Sequence, residues 1–331
     1  MPRTGDSPEE HILRTTEAAF AHGERTIADL LDAQNVVTRF LIHEQVRAGV
    51  EVLTDGGARW HDPLSHIAAK FDGITLGASR PLPFRAGEYR VPQITGKLMR
   101  RNDPQRMLAD EYRFARNALG QLPTSPERAG RLSLKPVLVG PYTLARYSES
   151  TRREFSSVQA RTEAFAEMLA QEIAPLAAAG SSLVQFDEPA ILENARDWEL
   201  VQAAFSHIAT VRDAAARTGR RIQLAVHVYA GPQNHLLDKL CKLSVDFLGL
   251  DFAAEPALAN ALPANLKHNI VAGLVSATSA TLESESSIRA TLDAVLAKAS
   301  GSVQIAPASG LETLAPAAAL GKLALLAKLR R

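Results

Sequence analysis

The sequence predicts one α/β domain over residues 1–331, folded as a TIM (β/α)₈ barrel. Short apolar runs rich in β-branched residues alternate with alanine- and leucine-rich stretches of helical period, which is the pattern of repeated β-α units around a parallel sheet. The runs are apolar on both faces, as expected for a barrel wall that helices cover. A length of 331 residues with 46% hydrophobic content suits a barrel of typical size.

The individual elements follow from these runs in chain order. Strands are expected at residues 50–54, 136–139, 183–186, 222–228, 247–250, 270–274 and 303–305. Helices are expected at residues 151–179, 197–218, 287–300 and 316–329, of which the last two carry the Leu/Ala spacing of amphipathic faces. Residues 77–96 are rich in Pro, Gly and Arg and predict an insertion, either an extended hairpin or a lid near the barrel mouth.

Charge and composition narrow the class of partner. Thirty-seven Lys and Arg against 36 Asp and Glu give a net charge of +1, and no basic run is interleaved with aromatic residues. This balance argues against a nucleic-acid or membrane surface and favours a small-molecule partner. The single cysteine, Cys241, rules out an intramolecular disulfide, and the charged N-terminus lacks the apolar core of a signal peptide. The chain is therefore predicted to be cytoplasmic, and its sequence indicates no protein partner.

Polar residues stand directly after the predicted strands. In a barrel of this type the chemistry lies at the carboxyl ends of the strands, so these residues are expected to converge on one mouth. They are Asp55, Gly140, Asp187, Glu188, His227, Asp251, Ser276 and Ser309.

Four spaced segments resemble the C-terminal catalytic barrel of cobalamin-independent methionine synthases. They are HEQVRAGVEVLTDGGARWHD (43–62), VLVGPYTLARYS (137–148), LVQFDEPAILE (183–193), and the pair HVYA (227–230) with IAPASGL (305–311). The order and approximate spacing match, and the segments span nearly the whole chain. The resemblance implies a barrel of the methionine synthase and uroporphyrinogen decarboxylase type, and an enzyme related to methyltransferases.

The chain departs from that family at the positions that would bind zinc. The resemblance assigns the zinc ligands to His227, Tyr229, Asp251 and Ser309, and two of these positions carry cysteine in the family. Loss of both thiolates should weaken zinc binding severely. The resemblance places other substrate-binding residues of the family at positions that here carry Gly57, Ser276 and Thr278. The stretch that matches the family's first strand carries Glu17, Ala18 and Ala19.

A different metal site stays open as an alternative. His227 and Asp251 with a third ligand can form a nitrogen and oxygen site for one zinc, iron or manganese ion. The candidates for the third ligand are Glu17, Asp187, Glu255 and His235. Equally, His227 can be a buried histidine satisfied by a neighbour, and Asp251 can cap a helix. The sequence does not decide whether folate is used.

Asp187 and His227 are the predicted catalytic residues. Asp187 matches a substrate-binding carboxylate of the family and can bind a substrate ammonium or act as a general base. Glu188 is expected to form a structural ion pair with an arginine. Tyr229 is expected to fill the vacated metal volume or to donate a hydrogen bond to substrate. The residues predicted to bind substrate are Glu17, Asp55, His61, Asp62, Tyr147, Tyr229 and Ser309, of which Tyr147 matches a family tryptophan that packs on folate.

Three functions are compatible with these residues. The first is a divergent methyl or alkyl transferase, or a related lyase, that acts on a small substrate with an amine or a carboxylate. The second is metal-free acid/base chemistry such as decarboxylation. The third is a binding protein that keeps the barrel without catalysis. Fold alone does not choose among them.

Overall fold

The structure is a computed structural model that describes residues 7–101, 107–264 and 266–329. Its helices are α1 (Pro8–Ala21), α2 (Ile27–Arg47), α3 (Pro63–Ala68), α4 (Leu108–Gly120), α5 (Pro126–Ala129), α6 (Pro141–Arg146), α7 (Val158–Ala178), α8 (Trp198–Arg217), α9 (Leu237–Leu240), α10 (Leu258–Ala261), α11 (Glu285–Lys298) and α12 (Pro316–Lys328). Its strands are β1 (Val52–Leu53), β2 (Phe71–Pro81), β3 (Glu88–Arg100), β4 (Ser133–Leu134), β5 (Val137–Val139), β6 (Glu149–Ser150), β7 (Leu183–Asp187), β8 (Gln223–His227), β9 (Phe247–Asp251), β10 (Asn269–Val275) and β11 (Val303–Pro307).

The predicted α/β barrel is confirmed. Six parallel strands pair in the order β5, β7, β8, β9, β10, β11, and β1 pairs in parallel with β4. Since β4 and β5 are successive parts of one extended stretch, residues 133–139, they join β1 to the same wall. All seven predicted strands and all four predicted helices are present, with bounds that shift by a few residues except where α7 begins seven residues late.

Burial explains why these strands are apolar throughout. One residue from each of β7 to β10 belongs to a single buried cluster, and residues that alternate with them belong to the main core. The first set is Leu183, Ala225, Phe247 and Val271, and the second includes Val184, Leu224 and Leu248. Phe186 on β7 packs edge to face on Phe205 of α8, with ring centroids 5.7 Å apart. This contact holds β7 against α8 next to Asp187, the last residue of that strand.

The barrel wall has a seam. Within the described residues no backbone pairing joins β11 to β1, which are the two ends of the parallel wall. The C-terminal end of α2 and the helix α12 lie behind the seam, where a Cβ atom on Gly49 would come within 2.8 Å of the Cβ of Ala327. Glycine is therefore required for this close approach.

The segment that matches the family's first strand is a helix. Residues 12–20 belong to α1, which Ser7 caps by accepting a hydrogen bond from the Glu10 N–H, with Pro8 in the first turn. The helix packs along α2 through Leu13, which is buried against Val37 and Leu41. It therefore adds no strand at the seam.

Residues 77–96 lie within a long antiparallel hairpin of β2 and β3, and β6 pairs with β3 in parallel. The connecting turn, residues 82–87, brings Phe84 and Arg85 to the carboxyl end of the barrel. Helices long and apolar enough to cross a membrane are absent from the described part of the chain.

Candidate functional site

The carboxyl ends of the strands surround a cavity of about 420 Å³. Six of the predicted site residues line it, namely Asp55, His61, Asp62, Asp187, His227 and Ser309. The cavity also extends along the seam, between Val52 of β1 and the β11 residues 303–307. Of the eight residues expected to converge on one mouth, Asp55, Asp187, His227 and Ser309 line this cavity, whereas Gly140, Glu188, Asp251 and Ser276 are not among its lining residues.

Asp187 and His227 lie at the centre of this cavity because their strands pair in register. Asp187 ends β7, His227 ends β8, and the two residues are direct partners across the parallel ladder. The next strand makes room for the imidazole, because a Cβ atom on Gly249 would lie only 2.6 Å from His227 Cδ2. His227 is 4% exposed. The glycine between the two leucines of β9 thus has a direct steric cause.

A network of hydrogen bonds joins the two residues below the mouth. The Gln185 amide nitrogen lies 2.7 Å from Asp187 Oδ1 and 3.3 Å from His227 Nδ1. The side-chain oxygen of Gln185, Oε1, accepts a hydrogen bond from Lys135 Nζ at 2.5 Å. The Tyr229 hydroxyl donates to Asp187 Oδ2 at 3.0 Å. His227 Nε2 is buried and has no hydrogen-bond partner.

Burial sets the protonation states in this network. Burial raises the pKa of Asp187, and the hydrogen bonds from Gln185 and Tyr229 oppose that shift. Burial, with a smaller contribution from the Lys135 charge, lowers the pKa of His227 to about 3. Burial lowers the pKa of Lys135 to about 8, against the attraction of Asp187. At neutral pH the His227 imidazole is therefore neutral. Neutral pH lies close enough to the pKa of Lys135 for this side chain to exchange protons.

The hairpin turn closes one side of the mouth. Arg85 lines the cavity and forms an ion pair with Glu312, which follows β11. Phe84 packs on Tyr229, with ring centroids 6.3 Å apart in an edge-to-face arrangement. The turn thus contacts the segments that follow β11 and β8 above Asp187, the arrangement expected of a lid.

Four predicted site residues lie outside the lining of this cavity, and one of them, Tyr229, lines a small pocket that also includes Asp187. Glu17 is on helix α1 rather than at a strand end. Tyr147 is half-buried under the hairpin, where its ring contacts Phe84 and its hydroxyl donates to Glu193 at 3.1 Å. Asp251 turns its carboxylate toward the backbone, and Oδ1 accepts from the Ala254 N–H at 2.9 Å. The local turn after β9 therefore engages Asp251, but the capping alternative is wrong in its detail, because the next helix, α10, begins only at Leu258.

Two further acidic residues have local structural partners. Asp62 caps α3, because its Oδ1 accepts the Ser65 N–H at 2.7 Å. Glu188 is completely buried and accepts from the N–H groups of Tyr142 and Thr143 at the start of α6, at 3.2 and 2.5 Å, and from the Thr143 hydroxyl. Among the described residues no arginine forms an ion pair with Glu188, so the expected partner is not found there. The N–H groups at the start of α6 satisfy the side chain instead.

The donor set does not fit a zinc ion. Of the four positions that the resemblance assigns to zinc, only His227 and Ser309 line the main cavity. The Tyr229 hydroxyl is committed to Asp187, and the Lys135 ammonium places a competing positive charge in the same cluster. In the described ranges, no group of three or more His, Cys, Asp or Glu side chains is arranged to hold a metal ion. Glu255 and His235, offered as third ligands, are not among the lining residues.

Sequence reasoning missed Lys135, Gln185 and Arg85. Gln185 precedes Asp187 by two positions on β7, so the period of two in a strand places both side chains on the inner face. That polar residue within an apolar run was the available signal. Lys135 lies between β4 and β5, and Arg85 lies in a loop, where no periodic pattern marks a residue's direction.

Comparisons with known proteins place these residues in context. Residues 3–329 match the family model described as "Cobalamin-independent synthase, Catalytic domain". A "Methionine synthase" of Sulfolobus acidocaldarius is 28% identical over 254 residues, which cover 76% of this chain and 67% of the relative. A "5-methyltetrahydropteroyltriglutamate--homocysteine methyltransferase" of Paraburkholderia xenovorans is 24% identical over 260 residues, 76% of this chain and 31% of the relative.

The solved structures agree on the fold. A B12-independent methionine synthase from Shewanella sp. W3-18-1, in complex with selenomethionine, superposes with a TM-score of 0.72 at 19% identity and covers 92% of this chain and 89% of its own. A second solved structure, of a protein from Listeria monocytogenes, gives a TM-score of 0.69 at 17% identity over 96% of this chain and 92% of its own. Their likeness supports the barrel architecture.

Proposed function

The chain belongs to the cobalamin-independent synthase catalytic-domain family, and from that membership we propose that it is a methyl or alkyl transferase, or a related lyase, acting at the barrel mouth. Its substrate in this proposal is a small molecule that carries an amine or a carboxylate. Relatives named as methionine synthases and as homocysteine methyltransferases support the reaction class.

One observation carries the proposal. Asp187 and His227 are adjacent across the β7–β8 ladder and share the cavity at the carboxyl ends of the strands. An acceptor beside an unpartnered imidazole nitrogen, both removed from water, offers two directed contacts to one small substrate. The cavity volume of about 420 Å³ is in the range of small-molecule sites.

Each residue has a role in this proposal. Asp187 binds the substrate ammonium or accepts the proton that the nucleophile loses on alkylation, and burial raises its pKa above the ordinary carboxyl value, which makes it a stronger base. His227 contacts the reacting group through Nε2. Asp55, His61 and Ser309 line the rim, where they contact the rest of the substrate. Arg85 on the hairpin turn excludes water from above.

The zinc-thiolate route of methyl transfer is not part of the proposal, because Tyr229 and Ser309 replace the two thiolates and the donor set does not fit zinc. We expect no appreciable formation of methionine from methyl-tetrahydrofolate and homocysteine in the presence of zinc. The measurement is a labelled-methyl assay on the purified protein. Turnover at a rate typical of enzymes, on the order of 1 per second or faster, would contradict this expectation.

A broader assay tests the proposed class itself. Labelled methyl donors of several chemical types are offered with small amine and carboxylate acceptors, to the wild type and to His227→Ala. The proposal expects transfer to at least one acceptor, with loss of activity in the variant. Ligand binding with neither transfer nor elimination would instead identify a binding protein.

A second candidate, metal-free decarboxylation, is favoured by one observation. The Lys135 ammonium lies in the same cavity as the neutral His227, and a buried cation can bind a carboxylate and stabilise the charge left behind when carbon dioxide departs. Release of carbon dioxide from a carboxylate substrate without methyl transfer would select this reaction.

A further inference from the structure

We infer that Lys135, acting through Gln185, holds His227 in the tautomer that presents an Nε2–H donor to the cavity, so that the site engages its substrate through an acceptor atom such as a carboxylate oxygen or a thiolate. The inference deepens the proposed function and rests on it for the identity of the site. In this inference Lys135 and Gln185 are positioning residues. The substrate must carry a hydrogen-bond acceptor that can face His227.

The first step is the orientation of the Gln185 amide. An ammonium group has three donors and no acceptor, so the atom that faces it must be an oxygen. Lys135 Nζ lies 2.5 Å from Gln185 Oε1, and both side chains are buried. The cation therefore fixes which end of the amide is the oxygen and which is the nitrogen.

The second step follows from the two hydrogens on the amide nitrogen. One points to Asp187 Oδ1 at 2.7 Å, and the other points to His227 Nδ1 at 3.3 Å. A nitrogen that receives a hydrogen bond offers a lone pair, so Nδ1 carries no proton. In a neutral imidazole the proton is then on Nε2.

The reversed amide has no such support. In the reversed orientation the amide nitrogen would face the Lys135 ammonium, and the amide oxygen would face the Asp187 carboxylate. Both contacts would place charges or partial charges of the same sign next to each other in a buried site. A metal on His227 Nε2 needs a lone pair there, and so needs the Nδ1–H tautomer, whose hydrogen would meet the amide hydrogens of Gln185. The network that Lys135 imposes thus opposes metal ligation by this histidine.

The third step concerns the unpaired nitrogen. His227 lines the cavity, and its Nε2 is buried without a hydrogen-bond partner, so the Nε2 hydrogen is an unsatisfied donor at this site. Such a donor costs free energy until an acceptor meets it. Asp187, two hydrogen bonds away through Gln185, offers the complementary negative charge. A zwitterion with an ammonium toward Asp187 and an anionic acceptor toward His227 satisfies both.

The test reads the tautomer directly by nitrogen-15 NMR. The nine histidines are labelled, and the signals of His227 are assigned from their loss in His227→Gln. At pH 7 the wild type should carry the His227 proton on Nε2, and added Zn²⁺ alone should leave these signals unchanged. Lys135→Arg keeps a cationic donor and should preserve the pattern.

Gln185→Glu tests the opposite expectation, a change of tautomer, with little change in side-chain volume. Its carboxylate can accept from both Lys135 and His227, so the proton of His227 should move to Nδ1. A proton on Nδ1 in the wild type, or an unchanged tautomer in a folded Gln185→Glu protein, would overturn the inference. This readout does not depend on turnover. A protein without transferase activity that still shows Nε2–H supports the inference while refuting the proposed function.

Discussion

Replacement of Glu188 by alanine should destabilise the barrel without any direct contact to substrate. The side chain is completely buried and accepts hydrogen bonds from the N–H groups of Tyr142 and Thr143. In Glu188→Ala both N–H groups lose their acceptor, and each buried donor left unpaired costs about 1–3 kcal/mol. The expected loss of unfolding free energy is therefore about 2–6 kcal/mol. At roughly 2 °C per kcal/mol for a chain of this size, the melting temperature should fall by about 4–12 °C.

The assay is thermal and urea unfolding followed by circular dichroism, with Glu193→Ala as the matched control. Glu193 is an exposed glutamate five positions along, with a single hydrogen bond from Tyr147. Glu188→Gln keeps the volume and one acceptor, so it should lie between wild type and alanine. If Glu188→Ala unfolds no earlier than the control, the carboxylate does not cap α6 and the argument is refuted.

Two further predictions follow from the site and its surroundings. His227→Ala and Asp187→Asn should each abolish activity or ligand binding while the melting temperature stays within a few degrees, because neither side chain supports the core; a variant that unfolds, or that works normally, would remove the assigned role. Burial raises the pKa of Glu111, but His66 and Lys70 outweigh burial and lower it to about 2. Because this folded-state pKa lies below the unfolded value, the carboxylate stabilises the fold above about pH 4.5, and this contribution is lost as the pH falls toward 2. Glu111→Gln should thus be less stable than wild type by up to about 3 kcal/mol at pH 7, with the difference in urea unfolding shrinking toward pH 3; a difference independent of pH would contradict the ion-pair explanation.

Most of the barrel could be predicted because its strands are apolar on both faces. The strand ends then follow from the first polar residue, and this rule located Asp187 and His227 at one mouth. The same rule could not tell which of these polar residues turn inward. Asp251 stands at the end of its strand as His227 does, yet a backbone N–H three residues later takes its carboxylate. Such local competition depends on loop geometry that one sequence does not reveal.

The N-terminal segment shows a second limit. The family likeness suggested a strand for the stretch that includes Glu17, whereas Ser7, Pro8 and the acidic residues after them are the residues that start a helix. Local capping signals decided the outcome. The pairing of Lys135 with Gln185 was hidden for a different reason, because it joins residues 50 positions apart whose relation appears only when the strands are side by side.

The seam between β11 and β1 changes how the barrel responds to stress. In a closed barrel, any widening stretches backbone hydrogen bonds between strands. In a barrel with one unpaired junction, the two edge strands can move apart without breaking a backbone hydrogen bond. What resists the parting is side-chain packing, chiefly the contact of α2 with α12 near Gly49 and Ala327. Protection of backbone amides from hydrogen exchange should therefore be greatest in β8, opposite the junction, and should decrease toward β11. Opening of this junction would widen the cavity sideways, and the ion pair of Arg85 with Glu312 would couple that opening to the hairpin that covers the cavity from above.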